Sequence, residues 1–350
     1  MKRRPGSNGR RFAGLLVAGA MLLWLASPVL PAGTSNAEEP EQGVILTPND
    51  TQNGVDFDTG RIEGTIRLDG AYHGVTRLVD KRTGRQVIDP RYSALNLFKL
   101  MSVNQIMGQP RSMERTIRIS SDGIEATWAA TEGHKAEITA RYELPQPNAV
   151  DVTVTVRSQG TYRGYELFMS SYFDKVLRPY VYLESRGREA PELVLPRVND
   201  VFRGTVLVFP RDAHAARACL DGRWDRNEWN TPTVQMCPVR RYAHCLGFLA
   251  DPEGQVGVAL MSRPGDCYAI STRYFAEDDA DRLTTYSAFD LSLFGDDLLP
   301  GTGRSVKVRL ALTELDGDRA PTEGWSQPLE LYRAFLAEMD NKSHPKETGP

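Results

Sequence analysis

The residues of this sequence best suited to chemistry fall into three groups. One is the polar and aromatic end of an apolar run, Ser170-Ser171-Tyr172-Phe173-Asp174, with Glu166 just before it. A second is the segment from Asp221 to Asn230, where Trp224 and Trp229 stand among Asp221, Asp225, Glu228, Arg223 and Arg226. The third is Arg240-Arg241, followed by His244. Cleaving a glycosidic bond by hydrolysis requires two carboxyls placed across it, and Glu166, Asp174, Asp225 and Glu228 are the available stock. Cleavage by elimination requires instead a base, often Tyr or His, and a cation that neutralises an acidic sugar's carboxylate; Tyr172, His244, Arg240 and Arg241 could supply these. The faces of Trp224 and Trp229 suit the C–H faces of sugar rings, with Asp225 beside them to bond hydroxyls, and Asn96 and Arg111 are further candidate ligand contacts. Each has a plainer reading. Glu166 fits a buried ion-pair partner, Arg240-Arg241 a solvated face, Asn96 a turn or cap residue, and the tryptophan segment a surface loop stapled by disulfides.

The elements that must position these residues read as strands. Asp151 to Arg157 alternates apolar and polar residues, as does His134 to Leu144, where Ala136, Ile138, Ala140, Tyr142 and Leu144 share one face. His134 is in phase with that apolar face, which predicts a packed rim histidine. Asp69-Gly70 and the Asp80 to Gly84 stretch read as hairpin turns. Val306, Val308, Leu310 and Leu312 make a late strand, and Leu329, Tyr332, Phe335, Leu336 and Met339 mark one face of a helix that begins near Pro328. Roughly fifteen strand candidates and one clear helix predict an all-β fold, a large antiparallel sandwich closed by a short C-terminal helix. A Gly-rich phosphate loop and a nucleophile elbow are both absent from the sequence, so it gives no indication of nucleotide chemistry.

Lys2, Arg3, Arg4, Arg10 and Arg11 precede an apolar run from Phe12 to Leu25 and small residues up to Ala37, the order of a secretory signal. The expected layout is a signal peptide over 1–37, a polar tether over 38–59, one β domain over 60–340 and a polar tail over 341–350. The expected location is periplasmic or extracellular, with no membrane span once the signal is removed. The leader's five basic residues face no acidic ones, so its removal takes the formal charge from -3 to -8. An acidic protein is a poor partner for nucleic acid or an anionic membrane, and a neutral or weakly charged ligand such as a saccharide fits better. Cys219, Cys237, Cys245 and Cys267 predict two disulfides with three possible connectivities, and their spacing matches no zinc motif. No metal or cofactor is expected.

Two short stretches resemble the galactose mutarotase family, also called aldose 1-epimerases. Ser170-Ser171-Tyr172-Phe173-Asp174 stands where that family has an Asn-His-x-Tyr-Phe-Asn segment and keeps its aromatic pair, and Leu298-Leu299-Pro300-Gly301 before Ser305 to Thr313 matches its Leu-x-Pro-Gly turn and last strand. The resemblance implies a β-supersandwich with a sugar-shaped concave face. It also implies departures. The acid histidine's position falls at Ser171 or a neighbour, and the general-base glutamate has no clear counterpart in Cys267 to Phe275. A serine cannot protonate a ring oxygen near neutral pH. The expectation is therefore an exported carbohydrate-active protein, a lyase or hydrolase rather than an epimerase, or alternatively a non-catalytic carbohydrate-binding or structural protein of the cell envelope.

Overall fold

Alternating strands need a second layer to bury their apolar faces, and the chain supplies it with three sheets. The structure, a computed structural model, describes residues 44–49, 53–103, 105–120, 123–185, 187, 190–197, 206–223, 235–236, 239–273, 286–315 and 325–343. A five-stranded sheet runs in chain order through β1 (Ile45–Asn49), β2 (Gly54–Asp58), β3 (Ile62–Arg67), β4 (Gly74–Asp80) and β5 (Arg85–Gln86). A seven-stranded sheet has the order β16 (Gln235–Met236), β15 (Val206–Pro210), β19 (Cys267–Arg273), β20 (Tyr286–Phe294), β12 (Glu166–Asp174), β6 (Asn96–Ser102) and β7 (Gln105–Gly108). A nine-stranded sheet has the order β14 (Glu192–Val194), β13 (Arg178–Leu183), β17 (Tyr242–Ala250), β18 (Val256–Ser262), β21 (Gly303–Glu314), β11 (Ala149–Ser158), β10 (Ala136–Gln146), β9 (Gly123–Trp128) and β8 (Thr116–Ser120). Among the described strands every pairing is antiparallel except β15 with β16. The expected all-β antiparallel sandwich is the architecture found.

The nine- and seven-stranded sheets share one core. Val152, Val154 and Val156 from β11, Val308 and Leu310 from β21, and Leu167, Met169, Phe289 and Leu291 from the other sheet are all fully buried in it. The two layers come close together at Gly247 on β17, where the ring of Phe289 occupies the space of a side chain. A Cβ at that position would lie 2.4 Å from Phe289 Cδ1. Gly247→Ala is therefore expected to force the sheets apart locally and destabilise the protein by about 1–3 kcal/mol, read as a lower urea midpoint at unchanged m-value.

Helix α1 (Ala213–Cys219) begins at Asp212, whose side chain accepts the N–H of Ala215, and packs on β15 and β19. Helix α2 (Gln327–Ser343) buries Tyr332 and Phe335 against the core. It is also held by charge. Arg309 on β21 forms a bidentate pair with the fully buried Asp151 at 2.7 and 2.9 Å, and its remaining nitrogen reaches Glu338 of α2 at 2.8 Å. Among the described residues no helix is long and apolar enough to cross a membrane.

Two expectations are corrected. Residues 45–49 and 54–58, read as tether, are β1 and β2, because the buried pair Val55 and Phe57 is enough to seat a two-strand addition on β3. No disulfide joins the described cysteines. Cys245 and Cys267 are buried free thiols, Cys219 is buried beside Tyr268 and Ala269, and Cys237 lies outside the described residues. The leader, residues 1–37, also lies outside them.

Candidate functional site

On β12, Leu167, Met169 and Phe173 point into the core, so Glu166, Phe168, Ser170, Tyr172 and Asp174 line the opposite face of the seven-stranded sheet. The same alternation on β20 turns Phe289, Leu291 and Leu293 inward and Ala288, Asp290 and Ser292 outward. Cross-strand pairing then sets four polar residues side by side on four strands: Asn96 opposite Ser170, Ser170 opposite Asp290, and Asp290 opposite Ser271. All four are buried.

Asp290 is the chemically distinctive member. It is 6% exposed, and burial pushes its pKa up to about 7, although the Arg273 guanidinium, the Ser170 hydroxyl and the Ser171 N–H each favour the ionised form. Its Oδ1 has no hydrogen-bond partner among the described residues, and neither has the neighbouring Ser271 Oγ. Buried polar atoms are ordinarily paired, so these two, side by side on one strand pair, leave hydrogen-bonding capacity open to water or to another molecule.

Beside this row stands a wall of four half-buried tyrosines. Tyr172 and Tyr286 meet edge to face at 5.1 Å, Tyr92 lies 4.9 Å from Tyr172 and 5.2 Å from Tyr286, and Tyr72 lies 4.9 Å from Tyr92. Arg273 donates to the Tyr286 hydroxyl at 3.3 Å. Burial and the nearby Asp290 carboxylate raise the Tyr172 pKa above the ordinary phenol value, so its hydroxyl stays protonated, bonded to Ser170. Loops bring the other two rings. The segment before β6 runs along the end of β12, with Asp89 N–H donating to Tyr172 O at 3.2 Å and Tyr172 N–H to Ser93 O at 3.1 Å, which delivers Tyr92. Asn96 Nδ2 donates to the carbonyls of His73 at 2.9 Å and Ala71 at 3.3 Å, fastening the turn that carries Tyr72. The residue before Asn96, Leu95, has φ +57°, a left-handed conformation that costs a branched side chain on the order of 1 kcal/mol or more. It is held there from both layers, by Ser171 Oγ accepting its N–H at 3.0 Å and by the Tyr142 hydroxyl donating to its carbonyl at 2.8 Å.

The remaining expected residues divide. Ser171 serves the core, so of the two serines in the segment only Ser170 faces the row. Glu166 shares the face but is committed: it is fully buried, pairs with Arg223 at 3.0 Å and accepts the Ser292 hydroxyl at 2.8 Å. Arg223 also pairs with Asp221 at 2.7 Å and is itself fully buried. Asp174, at the end of β12, accepts the N–H of Val176 in the following turn. Arg111 lies on the β6 side of the face, 3.9 Å above the ring of Phe98. His244 is on the other sheet, between the rings of Tyr182 and Tyr332, where burial and then Arg333 lower its pKa; it does not join Tyr172. Arg240 is at the far edge of that sheet, paired with the exposed Glu192, and Arg241 is exposed there too. Trp224, Asp225, Glu228 and Trp229 lie outside the described residues. His134 is the packed rim residue expected, between Tyr162 and Tyr165, with burial lowering its pKa to about 4.

Sequence reasoning missed Asp290, Ser271, Arg273, Tyr72, Tyr92 and Tyr286. Asp290 did leave a trace, a lone carboxylate in the middle of Ala288-Phe289-Asp290-Leu291, where an outward-facing residue of an exposed sheet would not need to be flanked so heavily by apolar neighbours.

No protein-family model matches the sequence, and neither does any curated protein. Among solved structures similar in fold is an aldose 1-epimerase, so described provisionally, from Escherichia coli K12, at 11% identity and a TM-score of 0.46 over 78% of this chain and 100% of that one. A heparan sulfate lyase, HepC, from Pedobacter heparinus is similar at 8% identity and a TM-score of 0.43, over 79% of this chain and 37% of that one. A galactose 1-epimerase from Lactobacillus acidophilus is similar at 10% identity and a TM-score of 0.38, over 77% of this chain and 98% of that one.

Proposed function

We propose that this protein is a carbohydrate-active enzyme that binds an acidic saccharide on the outer face of the seven-stranded sheet and cleaves it by elimination. The observation that carries the reading is the buried Asp290 carboxyl, one oxygen of which has no partner among the described residues, adjacent to the Ser271 hydroxyl in the same condition and walled by four tyrosines. Aromatic faces beside orphaned hydrogen-bonding groups suit a ring that is apolar on its faces and hydroxylated on its rim.

Elimination fits the residues better than hydrolysis. A hydrolase needs a second carboxyl, and among the described residues Glu166 is tied to Arg223 and Ser292, Asp89 to Arg91 at 2.8 Å, and Asp174 accepts the N–H of Val176 in the turn at the end of β12. Elimination needs a base, an acid and a cation. Asp290, whose pKa is near neutrality, takes the proton from the carbon next to the sugar's carboxylate. Arg273 faces that carboxylate and stabilises the negative charge that builds up on it. Tyr172, kept protonated, gives its proton to the departing oxygen as the C–O bond breaks and a C=C bond forms. One group pushed towards neutrality as a base and one held protonated as an acid is the division of labour such a reaction requires.

The test is a panel of neutral and acidic oligosaccharides, reading thermal shift for binding, ultraviolet absorbance for an unsaturated product and reducing ends for chain cleavage. Unsaturated product from a uronate-containing chain supports the reading. Reducing ends without the absorbance point to hydrolysis, and a thermal shift without either product points to the runner-up, a carbohydrate-binding protein of the envelope. Export to the periplasm or medium remains part of the proposal, on the strength of the leader, and fractionation of expressing cells tests it.

A further inference from the structure

Asp290 is not at the end of the aromatic surface. The tyrosine wall lies on one side of it, and on the other, along the same face, Phe168, Met101, Phe98 and Ile106 form a separate apolar cluster. Phe168 is two residues from Ser170 on β12 and therefore about 7 Å further along the strand. The ring of Phe98 is another 6.2 Å from that of Phe168. Phe98 and Ile106 are half-buried, and two cations flank the Phe98 ring: the Arg111 guanidinium at 3.9 Å from its centroid and Lys99 Nζ at 5.2 Å. A β-bulge in β6 at this point, between the pairings of Lys99 with Phe168 and Leu97 with Met169, puts Phe98 and Lys99 on the outer face together. One sugar ring resting on the tyrosines cannot also reach Phe98.

We infer that Phe98, with Arg111 stacked on it and Lys99 beside it, is a second saccharide platform, so that the ligand is a disaccharide or longer acidic chain lying across Asp290 rather than a single sugar. The surroundings of Phe98 support the same division: a half-buried aromatic ring for the sugar face, with the guanidinium of Arg111, held by its Nε donating to Gln109 Oε1 at 3.0 Å, on the side of the acid group of the next residue in the chain. The inference rests on the proposed saccharide reading, and places the bond to be cleaved between the two platforms.

The experiment is calorimetric titration of the full chain with galacturonic and glucuronic acid and with their oligomers up to the hexasaccharide, for the native protein, Phe98→Ala and Arg111→Gln. Native affinity is expected to rise with chain length from monomer to trimer. Phe98→Ala and Arg111→Gln should each weaken trimer binding about tenfold and leave monomer binding within about twofold. Both side chains are partly exposed, and unchanged unfolding midpoints of the variants show that the fold is intact. Equal affinity for monomer and trimer, with both variants neutral, overturns the second platform and leaves the saccharide site standing. Absence of binding at every chain length overturns both.

Discussion

Asp290→Asn is expected to abolish turnover while making the protein more stable at pH 8. The two effects share one cause. In the native state burial raises the carboxyl's pKa to about 7, whereas the unfolded chain ionises near 3.8. Between those values the native protein holds a proton that the unfolded chain has released, so native stability falls as pH rises through this window and levels off above it. The loss amounts to about 4 kcal/mol across the window, undiminished by solvent because the side chain is almost wholly enclosed. An amide has the same shape and cannot ionise, so urea titrations at pH 4, 6 and 8 should show the native protein losing stability along this limb and the variant missing that loss. Activity should run the other way. Native turnover rises through about pH 7 as the base ionises, and the variant shows no such limb. A variant as active as the native protein, or one with the same pH dependence of stability, would remove Asp290 from the centre of the site.

The second large effect is expected at Arg223. Its guanidinium is fully buried, pairs with Glu166 and Asp221 and donates to the Gly164 carbonyl at 2.9 Å. Arg223→Met leaves the Glu166 carboxylate buried with only the neutral Ser292 and Tyr268 hydroxyls beside it, and such an uncompensated charge costs about 3–5 kcal/mol. The double variant Arg223→Met with Glu166→Gln removes that charge and should recover most of the loss, which a single packing defect would not. Both measurements are unfolding free energies at pH 7.

The clamp and the tyrosine wall explain why the candidate site differs from what the residues alone suggested. Glu166 read more plainly as a buried ion-pair partner than as a catalytic carboxyl, and the partner that bears this out, Arg223, lies 57 positions later in the chain. His244 and Tyr172 were both candidates for the base of an elimination, but they belong to opposite layers of the sandwich. Tyr72 and Tyr92 carry no sequence signal of a site, since each is a tyrosine near a turn. They acquire one only because Asn96 and the Asp89 to Ser93 segment hold their loops against the end of β12.

What the sequence determined by itself is what depends on short range. Alternation over Asp151–Arg157, His134–Leu144 and Val306–Leu312 specifies which side of each strand is buried, because a strand's side-chain period is two and a shift by one residue would expose the whole apolar set. The helical face of Leu329, Tyr332, Phe335 and Leu336 was legible for the equivalent reason at period 3.6. What only the tertiary structure decided is which outward faces meet. Register between β6, β12, β20 and β19, strands drawn from residues 96 to 294, sets Asn96, Ser170, Asp290 and Ser271 in one row, and burial of that row converts an ordinary aspartate into a group that titrates near neutrality. Neither register between distant strands nor the desolvation of a side chain is encoded in its neighbours along the chain, so no local pattern could have announced them.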